Sequence, residues 1–268
     1  MNKSTLALAV ALGVIAQQAS AAGFIEDSKA SAEARNFYMN RDFRQEGAAQ
    51  SKAEEWAQGF LLRFEAGYTE GTVGFGVDAI GTLCLRLDSG RGTSGTGLLQ
   101  LDRETGKAQD SYGDFGVTAK AKISNSTLKL GTLMPKLPVL MSNDSRLLPQ
   151  SFQGGWINSQ EIAGLALDAG QLSRVNQRDS SDHETMTLTS SSNAARGFTG
   201  LGGVDSDEFN FAGASYKWND ALTTSYHYGA LDNFYKQHIL SATHVLPLGD
   251  KQSFKSDLRF ARSTDDGD

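Results

Sequence analysis

The sequence predicts an all-β chain: a transmembrane, antiparallel, up-and-down β-barrel. Three observations carry this expectation. Apolar and polar residues alternate with period two over segments longer than the ~5–6 residues of a soluble strand. The N-terminus reads as an export signal. Glycine is abundant, 29 of 268 residues, while proline is scarce at 4, which suits many tightly neighboured strands better than a linker or a helical enzyme.

The elements follow in order. Met1–Ala21 reads as a cleaved signal peptide: Lys3 gives the positive start, Leu6–Ala16 is an uncharged apolar run, and Ala19-Ser20-Ala21 is a small-residue cleavage site. That run is shorter than the ~20 residues a membrane-spanning helix needs. The mature chain then begins near a first strand at 31–41. In 54–68, Trp56, Phe60, Leu62, Phe64 and Tyr68 share one face, and Ala57, Gly59, Leu61, Arg63 and Glu65 share the other. In 72–88 the faces are Val73, Phe75, Val77, Leu83, Leu85 and Leu87 against Gly74, Gly76, Asp78, Thr82, Cys84 and Arg86. Greasy residues toward lipid and hydrophilic ones toward a pore is the signature of a membrane barrel, whose closure pairs every backbone group.

Further strands are expected at Tyr112–Ile123, Thr127–Met134, Asn158–Ala169, Thr185–Ser190, Phe209–Trp218, Leu222–Leu231, Phe234–Leu246 and Ser253–Arg262, about ten or eleven in all. The segments at 88–111 and 170–207 read as long polar loops, and Gly90–Gly97 as a flexible linker. Trp56, Tyr68, Tyr226 and Tyr228 suit an interfacial girdle. One loop differs. Residues 135–157 hold three of the four prolines, which bars a central strand. Yet they are rich in Leu, Val, Met and Phe and carry Lys136, Asp144 and Arg146. A loop this apolar is expected to fold inward against the wall and constrict the channel, rather than pack outside on its neighbours.

Other functions find little support. A formal net charge of −6 with no basic cluster argues against nucleic acid. Cys84 is the one cysteine, so there is no internal disulfide and no Cys/His zinc framework. No HExxH or GxSxG pattern occurs, and the glycine-rich GRGTSGTG lacks the Lys-Ser/Thr of a phosphate loop. Neither an enzyme nor any cofactor or metal is expected.

Several blocks are similar to the OprD family of outer-membrane porins: GFIEDSKASAEARNFYMNRDFR at 23–44, WAQGFLLRFEAGYTEGTVGFGVDAIGTLCLRLD at 56–88, LKLGTLMPKLPVL with SRLLPQSFQGG, and YHYGALDNFYKQHILSATHVLPL at 226–248. The resemblance implies a single-chain barrel of roughly eighteen strands. It also implies passive, selective uptake of small carboxylate-bearing solutes, either basic amino acids or aromatic and cyclic acids. NFYMNRDFR resembles the branch associated with benzoate-like acids. The sequence departs from the family by stopping at Phe260–Asp268, which reads as a loop start. Residues 22–268 are therefore expected to be the N-terminal part of a longer porin.

The resemblance further implies an arginine ladder along the inner wall. Arg35, Arg41, Arg44, Arg146, Arg174 and Arg178 are the substrate-pathway candidates, with Lys136, Asp144 and Arg146 in the constriction loop. The alternative for each arginine is an ion pair with Asp or Glu, or a place at the rim facing lipopolysaccharide. Arg63 and Arg86 suit cross-strand pairing with Glu65, Asp78 and Asp88. Expected partners are outer-membrane lipid and lipopolysaccharide, the barrel-insertion machinery and the solute, with the barrel a monomer or homotrimer. Two rival readings are a plugged outer-membrane barrel acting as adhesin or scaffold, and an exported β-rich hydrolase.

Overall fold

The computed structural model describes residues 21–90, 92–102, 104–188, 205–249 and 252–266. The signal peptide expected at Met1–Ala21 lies outside these residues except for Ala21, which opens a short helix, Ala21–Glu26. The chain then forms β1 (Lys29–Asp42), β2 (Lys52–Glu65), β3 (Gly74–Asp88), β4 (Ser111–Ile123) and β5 (Ser126–Leu133). A small hairpin follows, β6 (Lys136–Leu137) with β7 (Leu140–Met141). After it come β8 (Ser151–Ser159), β9 (Leu165–Asn176) and the two-residue β10 (His183–Glu184). The last four strands are β11 (Phe209–Lys217), β12 (Leu222–Leu231), β13 (Tyr235–Gly249) and β14 (Gln252–Asp265).

Eleven of these strands make one antiparallel sheet in the order β1-β2-β3-β4-β5-β8-β9-β11-β12-β13-β14, with β10 added to β9. Every strand pairs with the next long one along the chain, so the sheet is an up-and-down meander whose outer edges are β1 and β14. The connections are unequal. Short turns (66–73, 124–125, 160–164, 218–221) lie at one end, while the longer connections leave β1, β3, β5 and β9 at the other, which also holds the short turn 232–234. Short periplasmic turns and longer external loops are the usual asymmetry of membrane barrels.

Alternation assigns the faces. Phe60, Phe64 and Phe75 are 39%, 42% and 58% exposed, and Val77 is half-buried on the same side. Ala57 and Leu61 of β2 and Cys84 of β3, at the alternate positions, are buried on the other side. Large apolar side chains left uncovered over a whole sheet face need a solvent other than water. The inward face is not uniformly polar, however. Near the long-loop end it carries two apolar clusters, one around Leu61, Leu98, Leu99, Leu147 and Leu148 and one around Leu137, Val139, Phe152, Phe209 and Ile239.

Several element expectations are corrected. Asn158–Ala169 is two strands and a turn, since β8 ends at Ser159 and β9 starts at Leu165; Gly164, with φ +78°, supplies the left-handed residue that reverses the chain. The proline-bearing loop ends at 150 rather than 157, because Ser151–Ile157 lies within β8. Gly154 belongs in that strand: a Cβ there would come within 2.2 Å of the Gln171 carbonyl oxygen. Thr185–Ser190 forms no membrane strand; Met186 makes an isolated bridge with Ser206, and residues 189–190 fall outside the described set. The second long loop begins after Asn176, because β9 runs on from Leu165 through Gly170. Phe260–Asp265 continues β14 instead of starting a loop, and β13 runs through Pro247 with a register irregularity before Gly249. Tyr68 leaves the girdle: its ring lies under Lys120 Nζ at 4.8 Å and Lys122 Nζ at 5.8 Å, on the inward side.

Candidate functional site: a guanidinium cluster on an inward segment

The segment 134–150 crosses the inward face and is seated at both ends on glycines. Leu147 occupies the place of a side chain at Gly59 of β2, where a Cβ would lie 2.7 Å from Leu147 Cγ. At the other end a Cβ on Gly229 of β12 would lie 2.9 Å from Val139 Cβ. Both glycines hold inward positions, Gly59 between Ala57 and Leu61 and Gly229 between His227 and Leu231. The missing side chains make room for the segment, and its buried Leu137, Val139, Leu147 and Leu148 complete the two apolar clusters. Main-chain bonds close its ends: Ser142 N donates to the Pro135 carbonyl at 2.9 Å and Gln150 N to the Asn143 carbonyl at 2.8 Å.

An ion pair fixes the tip. Alternation along β1 turns Arg35, Phe37, Met39 and Arg41 inward, with Phe37 and Met39 packed on the first cluster. Arg35 Nη1 and Nη2 donate to the two carboxylate oxygens of Asp144 at 2.6 and 3.2 Å, and Nε donates to Glu33 at 2.7 Å. Nη1 also reaches the Arg146 and Leu147 carbonyls at 3.4 and 3.5 Å. Such bidentate geometry fixes direction as well as distance. Arg35 and Asp144 thus hold the segment in place, and neither charge is free.

With its main chain held on both sides, Arg146 projects beside two further cations. Its Nη1 donates to the Ser145 carbonyl at 3.0 Å, while Nε finds no partner among the described protein atoms. Arg178, in the segment after β9, docks on the same tip, donating to Ser145 Oγ at 2.8 Å and Asn143 Oδ1 at 3.4 Å. Arg41 approaches from β1. Burial, then the charges of Arg178 and Arg41, pull the Arg146 pKa below its ordinary value, and Asp179 opposes them. Burial in turn pushes the Asp179 carboxyl upward. Among the described residues no carboxylate pairs with Arg41, Arg146 or Arg178. Arg178 and Arg41 thus act on Arg146 as like charges, with Asp179 as the acid among them.

The other sequence candidates separate from this cluster. Arg44 is 88% exposed beyond the end of β1 and pairs with Asp42 at 2.9 Å, as a rim residue does. Arg174 is exposed beside the β8–β9 register shift, opposite Gln153, and is not among the charges acting on Arg146. Lys136 is exposed on β6 and has no ion pair among the described residues. Arg63 and Arg86 do pair, but with Glu33 and Asp110 rather than Glu65, Asp78 or Asp88.

A second inward anchor was not read from sequence. Glu55 is fully buried on the inward face of β2 and accepts from Gly95 N at 3.0 Å, Thr96 N at 3.3 Å and the Thr96 hydroxyl. This binds segment 89–110 down, so Gly95 and Thr96 form an anchor point and not a flexible linker. It also seats Leu98 and Leu99 against Leu61 and Cys84. Two signals were available: an acid in an inward position between Ala53 and Ala57, and a Leu-Leu pair inside a polar loop.

The comparisons agree with this architecture. A family model described as "outer membrane porin, OprD family" matches residues 22–268. The Porin-like protein GalP of Pseudomonas putida is 42% identical over 91% of this chain and 56% of its own length. Among solved structures, Pseudomonas aeruginosa OpdQ is 64% identical with a TM-score of 0.78, covering 92% of this chain and 60% of that one. Pseudomonas aeruginosa OpdK, solved with vanillate, is 40% identical with a TM-score of 0.79, covering 91% and 60%. The chain thus spans little more than half the length of these relatives. With the family model matched along nearly its whole length, the chain belongs to the OprD family of outer membrane porins.

Proposed function

We propose that the barrel to which this chain contributes passively conducts small carboxylate-bearing solutes, aromatic acids foremost, past the Arg41–Arg146–Arg178 cluster. In this reading segment 134–150 is the constriction, and Arg146 is the charge that a solute meets at its narrowest point. The observation that carries it is the convergence of three unpaired guanidinium groups on a segment held rigidly against the inward face. A planar guanidinium offers a carboxylate two parallel donors, compensating for water lost as the solute narrows its hydration shell. Each such contact is weak on its own, which lets the solute leave as readily as it enters. Vanillate, the compound with which OpdK is solved, is an aromatic carboxylate, and that supports the same solute class here.

Flux tests the proposal directly. Liposomes carrying the full-length protein should take up benzoate about tenfold faster than a neutral solute of similar size, a barrier difference of roughly 1.4 kcal/mol. Equal rates would leave a sieve without anion guidance. No uptake of either solute would favour the plugged adhesin or scaffold.

A further inference from the structure

The outward face has its own chemistry, and it is uneven. Strand pairing aligns outward side chains in rows that cross β11 to β14. Tyr216–Thr224–Ala242–Leu258 is one row, and Ala214–Tyr226–Leu240–Phe260 is the next toward the long-loop end. Between them lies an apolar furrow of about 500 Å³, lined by Thr224 and Ala242 together with Tyr226, Leu240, Leu258 and Phe260. One row further toward the long loops the character changes abruptly, to Ala212–Tyr228–His238–Arg262.

That row sets one cation, Arg262, beside the imidazole of His238 and is partly preorganised. The His238 ring lies 5.1 Å from the Tyr228 ring, and its Nδ1 is 2.7 Å from the Tyr226 hydroxyl oxygen, so its orientation is fixed. Arg262 sits directly opposite His238, exposed and without an ion pair among the described residues. Lys236 stands one row higher but is already held by Asp266. β1 and β2 lack the arrangement. On β1 and β2 the outward row beyond Tyr38–Trp56 is Asn40 and Glu54, which offers no net positive charge.

We propose that the outward face of β12–β14 binds one molecule of the phosphorylated glycolipid of the outer leaflet. Its phosphate sits on Arg262 and His238, and an acyl chain lies in the furrow beneath. Three features converge on this ligand. The furrow is apolar and faces lipid, so an acyl chain is its natural occupant. The row of Arg262 and His238 lies at the long-loop end of the last apolar row, where headgroups begin, beside the tyrosines that favour that level. A guanidinium next to an imidazole recognises a phosphate oxyanion, as basic pockets at membrane surfaces do. Pairing along the free edge of β14 leaves these side chains facing outward. The proposal depends on the outward register alone and not on what the channel conducts.

Native mass spectrometry of the full-length protein in detergent tests it, using diphosphorylated lipid A, the same lipid without phosphates, and phosphatidylglycerol. The wild type should retain diphosphorylated lipid A at least about fivefold more than either competitor. Arg262→Gln with His238→Gln should bring that ratio close to one. Ala242→Phe, which fills the furrow, should lower retention of both lipid A forms. A heat-modifiability gel on each variant confirms a folded barrel. Equal wild-type retention of the two lipid A forms would overturn the phosphate site. Retention of phosphatidylglycerol equal to that of lipid A would overturn the glycolipid assignment, and an unchanged ratio in the double variant would overturn the residues. A detergent-resistant dimer that excludes lipid from this face would show that a second copy is its occupant, which also overturns the proposal.

Discussion

Replacing Arg146 by alanine is expected to lower benzoate flux through the full-length protein by about tenfold and to leave the flux of a neutral sugar unchanged or raised, because the loss of one charge-assisted contact at the constriction costs roughly 1.5 kcal/mol, the low end for such contacts. The asymmetry is the point. Removing a large side chain from the narrowest part of a channel widens it, and widening alone would speed both solutes. Only the loss of a donor to the carboxylate slows one and spares the other. Arg146→Lys keeps the charge but not the bidentate fork, so it should fall between the wild type and alanine. Segment 134–150 keeps its place in both variants, since Leu147 in the Gly59 seat and the Arg35–Asp144 pair are untouched. Liposome uptake of the two solutes, measured side by side, checks this. Equal slowing of benzoate and sugar would mean that the substitution had collapsed the pore.

Glu55→Ala should destabilise the long-loop end of the barrel by roughly 3 kcal/mol and release segment 89–110. The buried Thr96 N–H and hydroxyl lose their acceptor at ~1–3 kcal/mol each with incomplete additivity, and the more exposed Gly95 N–H loses its own at smaller cost. The consequence propagates. Once Gly95 and Thr96 are free, Leu98 and Leu99 lose the geometry that holds them against Leu61 and Cys84, and the cluster that also seats Leu147 loosens. Hydrogen exchange should show protection lost at the amides of Gly95, Thr96 and Leu98 while the β2–β3 ladder stays protected. Glu55→Gln, which keeps an acceptor, should retain most of it. Unchanged exchange in the alanine variant would mean that the segment is held by its leucines alone.

Much of this architecture was legible because a membrane barrel writes itself in dyads. β2 and β3 showed their faces plainly, since Phe60, Phe64 and Phe75 alternate with Ala57, Leu61 and Cys84 and no other period fits. The strand expected at Leu222–Leu231 matches β12 to the residue. Misreadings arose where glycine serves the sheet instead of interrupting it. Gly154 and Gly155 looked like a loop, yet they sit in β8 because the neighbouring strand comes too close for a Cβ. Gly95 looked flexible because nothing in its own neighbourhood names Glu55, forty residues earlier, as its acceptor.

The candidate site was legible in kind and blurred in detail. Inward arginines could be proposed from β1 alternation and from the charge in the apolar loop. Which of them stay unpaired is a matter of tertiary geometry. Arg35 and Arg41 lie on the same strand face, and sequence gives no reason to distinguish them. Asp144, brought beside Arg35 by the return of segment 134–150, is what turns one into a brace and leaves the other as an open cation. Arg174 and Arg178 differ for a similar reason: the register shift at the top of β8 and β9 leaves the first exposed, and the turn beyond carries the second onto Ser145.

The most direct test is the reversal potential of single channels of the full-length protein in a planar bilayer under a steep gradient of sodium benzoate. Anion guidance by Arg41, Arg146 and Arg178 predicts discrete openings whose reversal lies close to the equilibrium potential of benzoate. Reversal at the sodium potential, or the absence of conductance steps from a folded and inserted protein, would contradict it.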